Sequence, residues 1–230
     1  MAEIAGILFD KDGVLFDFQK TWGGWAADMI AGISRGDSLL AQRLADALGY
    51  DLQARVFRPD SFVIAGTAQQ VADALAAELS EWEPSALFSH LKEETARAKQ
   101  AESVPLRTVL TDLKRRDLRL GVATNDTVDA AKSNIASVGA LDLFDFVSGS
   151  DSGYGAKPEP GMLFGFAEAM GLLPETLVMV GDSTHDMHAA KAAGFTRVAV
   201  LTGVATAADL APHADVVLPD IGALGDWLDS

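Results

Sequence analysis

The sequence predicts an α/β protein with a doubly wound parallel sheet, interrupted by an inserted all-helical segment. Three observations carry this prediction. Short runs of Ile, Val, Leu and Phe, apolar at nearly every position, recur along the chain and suit strands covered on both faces. From Leu106 onward helical patterns alternate with those runs, which implies βαβ units. Between about Phe16 and Ala101 the strand pattern vanishes and helix patterns follow one another.

Taken in order, residues 4–9 form the first predicted strand. The insert follows at once, with Leu40, Leu44 and Leu48, then Val71, Leu75 and Leu79, spaced i, i+4, i+8 as on one face of a helix. Predicted strands then cover 118–123, 144–148, 177–180, 198–201 and 216–218, and predicted helices 107–116, 128–138, 162–170 and 185–193. This divides the chain into an α/β core, residues 1–15 and 102–230, and an insert, residues 16–101. Joined by two linkers at the mouth of a sheet, the insert is expected to act as a small hinged domain.

The 230 residues include 49% hydrophobic and 22% charged ones, which is material for a packed core and unlike the composition of disorder. Lys and Arg number 18 against 33 Asp and Glu, a net charge of −15. So acidic a chain lacks the basic footprint of nucleic-acid binding and is repelled by anionic lipid, so no nucleic-acid or membrane partner is expected. The absence of cysteine excludes disulfides, thiolate metal sites and cysteine nucleophiles, and fits a reducing compartment. The N-terminus runs directly toward Asp10 with no basic segment ahead of an apolar one, so the expectation is a cytoplasmic protein, monomer or homodimer.

Two acidic constellations stand at strand ends, where open α/β sheets bind ligands. Asp10-Lys11-Asp12-Gly13-Val14-Leu15 follows the first strand, with Gly13 suited to a tight turn that keeps the second Asp near the first. An Asx turn also accounts for the pair taken alone, but a calcium loop does not, because Val14 and Leu15 stand where it requires Asp or Asn and Gly. Gly181-Asp182-Ser183-Thr184-His185-Asp186 follows the strand at 177–180, with Ser183 as helix N-cap and Gly194 beyond the helix C-terminus. Asp186 alone is explained as a first-turn acid that complements the helix dipole. Asp10, Asp12 and Asp182 together suit a hard cation such as Mg²⁺, which takes oxygen ligands. Thr124 and Asn125, between a strand and a helix, offer a hydroxyl and backbone N–H groups to a phosphate. Lys157-Pro158 lies in the loop after the strand at 144–148.

In this order these segments resemble the four motifs of the haloacid dehalogenase-like superfamily of phosphohydrolases: Asp10 to Leu15, then Thr124, then Lys157-Pro158, then Gly181 to Asp186. The resemblance implies a Rossmann-like core and identifies the insert with the helical cap of the phosphoglycolate phosphatase and β-phosphoglucomutase subclass. Lys11, where an apolar residue is common, and Val14, where Thr is usual, depart from the pattern at positions that supply no reacting side chain. The resemblance assigns Asp10 as the nucleophile that forms an aspartyl-phosphate and Asp12 as general acid and base. It implies Mg²⁺ on the Asp10 carboxylate, the Asp12 carbonyl and Asp182, with Asp186 behind these ligands or reaching the ion through water. Thr124, the Asn125 N–H and Lys157 would hold the transferring oxygens.

Substrate choice is expected from the insert. Arg58, beside Pro59, suits a second anion such as the carboxylate of phosphoglycolate, and Trp22 with Trp25 lies on the first insert helix. Both Trp residues also suit a simple packing role. The expected activity is a Mg²⁺-dependent phosphatase for a small anionic phosphate monoester. A β-phosphoglucomutase-like mutase uses the same residues. A silent binding module is disfavoured because Asp10, Asp12, Asp182 and Asp186 are all retained.

Overall fold

The computed structural model describes residues 3–230; residues 1 and 2, the start of the predicted core segment 1–15, lie outside the described residues. The chain runs β1 (Gly6–Phe9), a π-helical turn (Gln19–Gly23), α1 (Gly24–Ser34), α2 (Ser38–Ala47), β2 (Tyr50–Asp51), β3 (Val56–Phe57), a 3-10 turn (Phe62–Ile64), α3 (Ala68–Ala76) and α4 (Pro84–Arg97). It continues with α5 (Leu106–Arg115), β4 (Arg119–Ala123), α6 (Val128–Ser137), β5 (Phe146–Ser148), α7 (Gly161–Met170) and β6 (Leu177–Gly181). Last come α8 (Thr184–Ala193), β7 (Thr196–Val200), α9 (Ala207–Leu210), β8 (Val216–Leu218) and α10 (Leu224–Leu228).

A six-stranded sheet of order β5-β4-β1-β6-β7-β8 forms the centre, and every neighbouring pair is parallel. Alternation along β1 sends Ile7 and Phe9 to one face and Leu8 to the other. The first face packs on Leu106, Leu110 and Leu113 of α5 and on Leu224 of α10. The second packs on Met162, Leu163 and Phe166 of α7 and on Ala189, Ala190 and Ala193 of α8. Burial on both faces explains why these strands read as unbroken apolar runs. Their ends differ from the expected ones by up to two residues; β5 begins at Phe146 because Phe144 instead packs edge-on to Phe9, ring centroids 6.2 Å apart.

The insert has its own hydrophobic cluster, built around Phe18, Trp22, Leu44, Tyr50, Phe57, Leu75 and Leu87. It is not all-helical, which corrects the sequence expectation: β2 and β3 form an antiparallel ribbon, Tyr50 opposite Phe57 and Asp51 opposite Val56. The turn is made by Asp51, whose Oδ1 accepts from the N–H groups of Gln53 and Ala54, and Tyr50 donates its hydroxyl to the Gly23 carbonyl at 2.5 Å. Leu48 caps α2 and Leu79 lies beyond α3, so both helices are shorter than their apolar spacing suggested.

The insert leaves and rejoins the core at one place, where Phe16 pairs with Glu102 and Asp17 N–H donates to the Ala101 carbonyl at 2.8 Å. It also touches the core along α4 and α6. Ser133 Oγ donates to Ala96 O at 2.8 Å, Asn134 Nδ2 to Thr95 O at 3.2 Å, and Lys92 pairs with Asp129 at 3.1 Å. Among the described residues no helix is long and apolar enough to cross a membrane.

Candidate active site

Three adjacent central strands, β4, β1 and β6, deliver their C-terminal ends to one point. Asp10 leaves β1 with its N–H still bonded to Val180 O at 2.9 Å, which carries the strand register into the site. The chain then folds back, with Leu15 and Phe16 N–H on the Lys11 carbonyl and Gly13 N–H on Phe16 O. Gly13 sits at φ +76°, and a Cβ there would collide with Asp182 Oδ2; a Cβ at Gly203, beyond β7, would strike the same oxygen. Both glycines therefore make room for the Asp182 carboxylate.

At the end of β6, Ser183 caps α8. Its N–H and hydroxyl donate to Asp186 Oδ2, at 3.1 and 2.6 Å. The other oxygen, Asp186 Oδ1, lies 2.7 Å from Lys157 Nζ, which stands 2.8 Å from Asp10 Oδ1. Asp10, Asp182 and Asp186 each offer an oxygen within 4.8 Å of the others. Asp182 is only 4% exposed, and among the described residues no donor from another residue reaches its carboxylate. Burial and the charges of Asp186 and Asp10 push Asp182 well above the usual carboxylate range. Burial, reinforced by Asp186 and Asp12 and opposed by Lys157, pushes Asp10 up to about 7. Burial alone would lower Lys157, but Asp10 and Asp186 outweigh it and raise it.

Thr124 and Asn125 follow β4 and are both buried. Thr124 Oγ1 accepts from Asp126 N–H at 3.1 Å, so its own proton is free to donate. Asn125 grips Lys157 by the backbone, accepting its N–H at 2.8 Å and donating to its carbonyl at 2.9 Å, across a cis Lys157-Pro158 peptide. Asn125 Nδ2 also donates to Ala65 O of the insert at 2.8 Å.

Asp12 meets two side chains, of which Trp22 was expected to serve substrate choice and Lys11 was given no role. Trp22 Nε1–H donates to Asp12 Oδ1 at 2.7 Å, and Lys11 Nζ lies 3.0 Å from Asp12 Oδ2. Lys11 is wholly buried; it also contacts Asp126 at 3.2 Å and Asn134 Oδ1 at 3.1 Å, with Nζ 5.0 Å from the Trp22 ring centroid. Desolvation works against its charge, but Asp12 and Asp126 overcome it and raise its affinity for the proton. Lys11, Asp126 and Asn134, like Gly203, were missed. The unusual Lys between two Asp residues was the one available signal.

Asp10, Asp12, Trp22, Thr124, Asn125 and Lys157 all line one cavity of about 100 Å³ between insert and core, and Trp25 lines it too. Asp182 and Asp186 sit behind them. Arg58 is not brought there, which corrects its expected part in binding. Its N–H donates to Gly49 O beside the β2–β3 ribbon, and its side chain, 44% exposed, lies 3.7 Å from Asp46 on α2.

A family model described as haloacid dehalogenase-like hydrolase matches residues 4–194. The phosphoglycolate phosphatase of Rhodospirillum rubrum is 34% identical over 120 residues, 52% of this chain and 50% of that protein. That of Photorhabdus laumondii is 28% identical over 200 residues, 87% of this chain and 81% of that one. Several other curated relatives are likewise matched over half their length or less. A predicted phosphoglycolate phosphatase from Haemophilus somnus shares the fold, with a TM-score of 0.72, 18% identity and 99% of both chains covered.

Proposed function

The chain belongs to the haloacid dehalogenase-like hydrolases, and from that premise we propose that it is a Mg²⁺-dependent phosphatase acting on a small phosphate monoester through an aspartyl-phosphate. The observation that carries the reading is the convergence of Asp10, Asp182 and Asp186 on Lys157, with Asp12 alongside. The relatives named phosphoglycolate phosphatase support a phosphate monoester as substrate. The acidic, cysteine-free composition supports a small-molecule substrate in the cytoplasm over a nucleic-acid or membrane partner.

The donor set suits Mg²⁺. It consists of oxygens only, and among the described residues no donor from another residue balances the buried Asp182 carboxylate, so a cation removes an otherwise poorly compensated charge. Asp10, Asp182 and Asp186 would hold the ion, with the Asp12 carbonyl as a further oxygen. When bound, Mg²⁺ offsets the repulsion between carboxylates and phosphoryl oxygens.

Asp10 Oδ1 takes both the Lys11 N–H and the Lys157 ammonium, and among the described residues no donor reaches Oδ2. Oδ2 is thus the oxygen suited to attack phosphorus. The new bond is from Asp10 to phosphorus, the bond to the leaving alcohol breaks, and Asp12 delivers a proton to the departing oxygen. Water then attacks the phosphoryl group, Asp12 takes the water's proton, and inorganic phosphate and free Asp10 are released. Trp22 and Lys11 fix the direction of Asp12. Thr124, the Asn125 N–H and Lys157 hold the phosphoryl oxygens, with Asn125 locking the backbone beside Lys157.

Phosphate release from p-nitrophenyl phosphate with Mg²⁺, without a bisphosphate activator, is the expected result, falling to background in Asp10→Asn. Turnover surviving in Asp10→Asn would remove the covalent route. A need for a bisphosphate activator would identify a mutase instead.

A further inference from the structure

The wall that the insert presents to the cavity holds no cation. It is made of Phe18, Trp22, Trp25, Ile64, Val71 and Leu91, and its polar side-chain groups are the hydroxyls of Thr67 and Thr95 with the indole N–H groups of Trp22, bonded to Asp12, and of Trp25, buried with no partner among the described residues. Lys157 is the one Lys or Arg on the lining among the described residues, and Asp10 and Asp186 already engage it at 2.8 and 2.7 Å. Lys11, beneath the Trp22 ring, is taken up by Asp12, Asp126 and Asn134. Arg58 lies outside with Asp46. The remaining titratable group, His185, belongs to the first turn of α8 beside Asp186, on the core side.

A second anion on the substrate would therefore be buried against indole and alkyl groups, near Asp12 and Asp126, with no opposite charge to receive it. That arrangement is strongly unfavourable. A polyhydroxylated leaving group fares little better, because several hydroxyls stripped of water need more partners than two Thr hydroxyls and one indole N–H supply. An uncharged group with mostly apolar surface suffers neither loss and gains from contact with the Trp and Ile surfaces.

Building on the phosphatase reading above, we propose that the leaving group is a compact, uncharged, mainly apolar alcohol, so that the substrate class is a short alkyl-type monophosphate. Phosphoglycolate and sugar phosphates fall outside it. Selectivity resides in the insert wall, with Ile64 of the 3-10 turn and Val71 of α3 as its determinants.

The test uses the whole protein with Mg²⁺ and p-nitrophenyl phosphate as reporter, with isobutyl phosphate, phosphoglycolate and glucose 6-phosphate as competitors. Isobutyl phosphate resembles phosphoglycolate in size but carries two methyl groups in place of the carboxylate oxygens. It is expected to inhibit reporter turnover at concentrations at least tenfold lower than either rival. Equal or stronger competition by phosphoglycolate or glucose 6-phosphate, or competition by no ester at all, overturns the assignment. Ile64→Lys places a cation on the wall and is expected to shift the ratio at least tenfold toward phosphoglycolate, with Val71→Lys as a second placement should the first not fold. An unchanged ratio in a folded variant shows that this wall does not meet the leaving group and overturns the proposal. Absence of reporter turnover by the wild-type protein is a different outcome, which removes the phosphatase reading itself.

Discussion

Trp22 Nε1–H donates to Asp12 Oδ1 across 2.7 Å, although Trp22 belongs to the hydrophobic cluster of the insert and Asp12 to the loop after the central strand. The group assigned to proton transfer is thus held from one side by the core, through Lys11, and from the other by the insert. Trp22→Phe keeps an aromatic ring near Lys11 and removes the N–H together with part of the indole. The expected result is a fall in kcat of about tenfold, the consequence of losing a hydrogen bond to a charged group worth about 1.5 kcal/mol. KM and circular dichroism should change little; a change confined to KM would show that Trp22 serves binding alone.

Lys11→Met leaves Asp126 buried without its ammonium and loosens Asp12. Burial already pushes the Asp126 carboxyl up, and Lys11 is the main opposing influence. Removing one partner of a buried ion pair costs about 3–5 kcal/mol, so the denaturation midpoint should fall markedly. The double variant Lys11→Met with Asp126→Asn should recover part of that loss. Additive losses in the double variant would show that the two side chains are not energetically coupled.

Gly203→Ala forces Asp182 aside, because the added methyl collides with Oδ2. The Mg²⁺ concentration for half-maximal activity should rise about 10–100-fold, as when a supporting group of a metal ligand is altered. Titration of activity with Mg²⁺ checks this, and an unchanged requirement would mean that Asp182 does not hold the ion.

Asp10, up to about 7, and Asp182, well above the usual range, bind protons more tightly folded than unfolded. For an acid with a raised folded pKa, the stabilising contribution is present at low pH and is lost as pH climbs from the unfolded value of 3.8 toward 7. Mg²⁺ takes the place of those protons. Its stabilisation of the protein should therefore be larger at pH 8 than at pH 5, seen as a greater shift in Tm. An equal shift at both values would contradict the assignment of these carboxylates to the ion.

The sheet and its acidic ends were legible because strands covered on both faces must be apolar throughout, so carboxylates directly after them stand out. Asp10, Asp12 and Asp182 stand out in this way, whereas Thr124 was singled out by its place between a strand and a helix and Lys157 by the Lys-Pro pair in a loop. The β2–β3 ribbon was not legible, since strands of two residues leave no alternation to detect. Arg58 was misplaced because a cation beside a proline in a loop carries no information about direction, and Asp46 on α2 captures it. Lys11 stood out only as a departure from the family pattern, at a position that supplies no reacting side chain. Its burial depends on Asp126 and Asn134, which come from another strand–helix unit and reach it only once β4 lies beside β1.

Phe16 lies opposite Glu102, where Asp17 N–H bonds to Ala101 O and Ser103 N–H to Leu15 O as the insert rejoins the core, and its own N–H and carbonyl bond to Lys11 O and Gly13 N–H beside Asp12 at the mouth of the cavity. The pivot of the insert and the backbone of the proton-transfer residue are therefore a single stretch of chain. A change at Phe16 is therefore felt at both ends of that stretch, where the insert is anchored and where Asp12 meets Trp22.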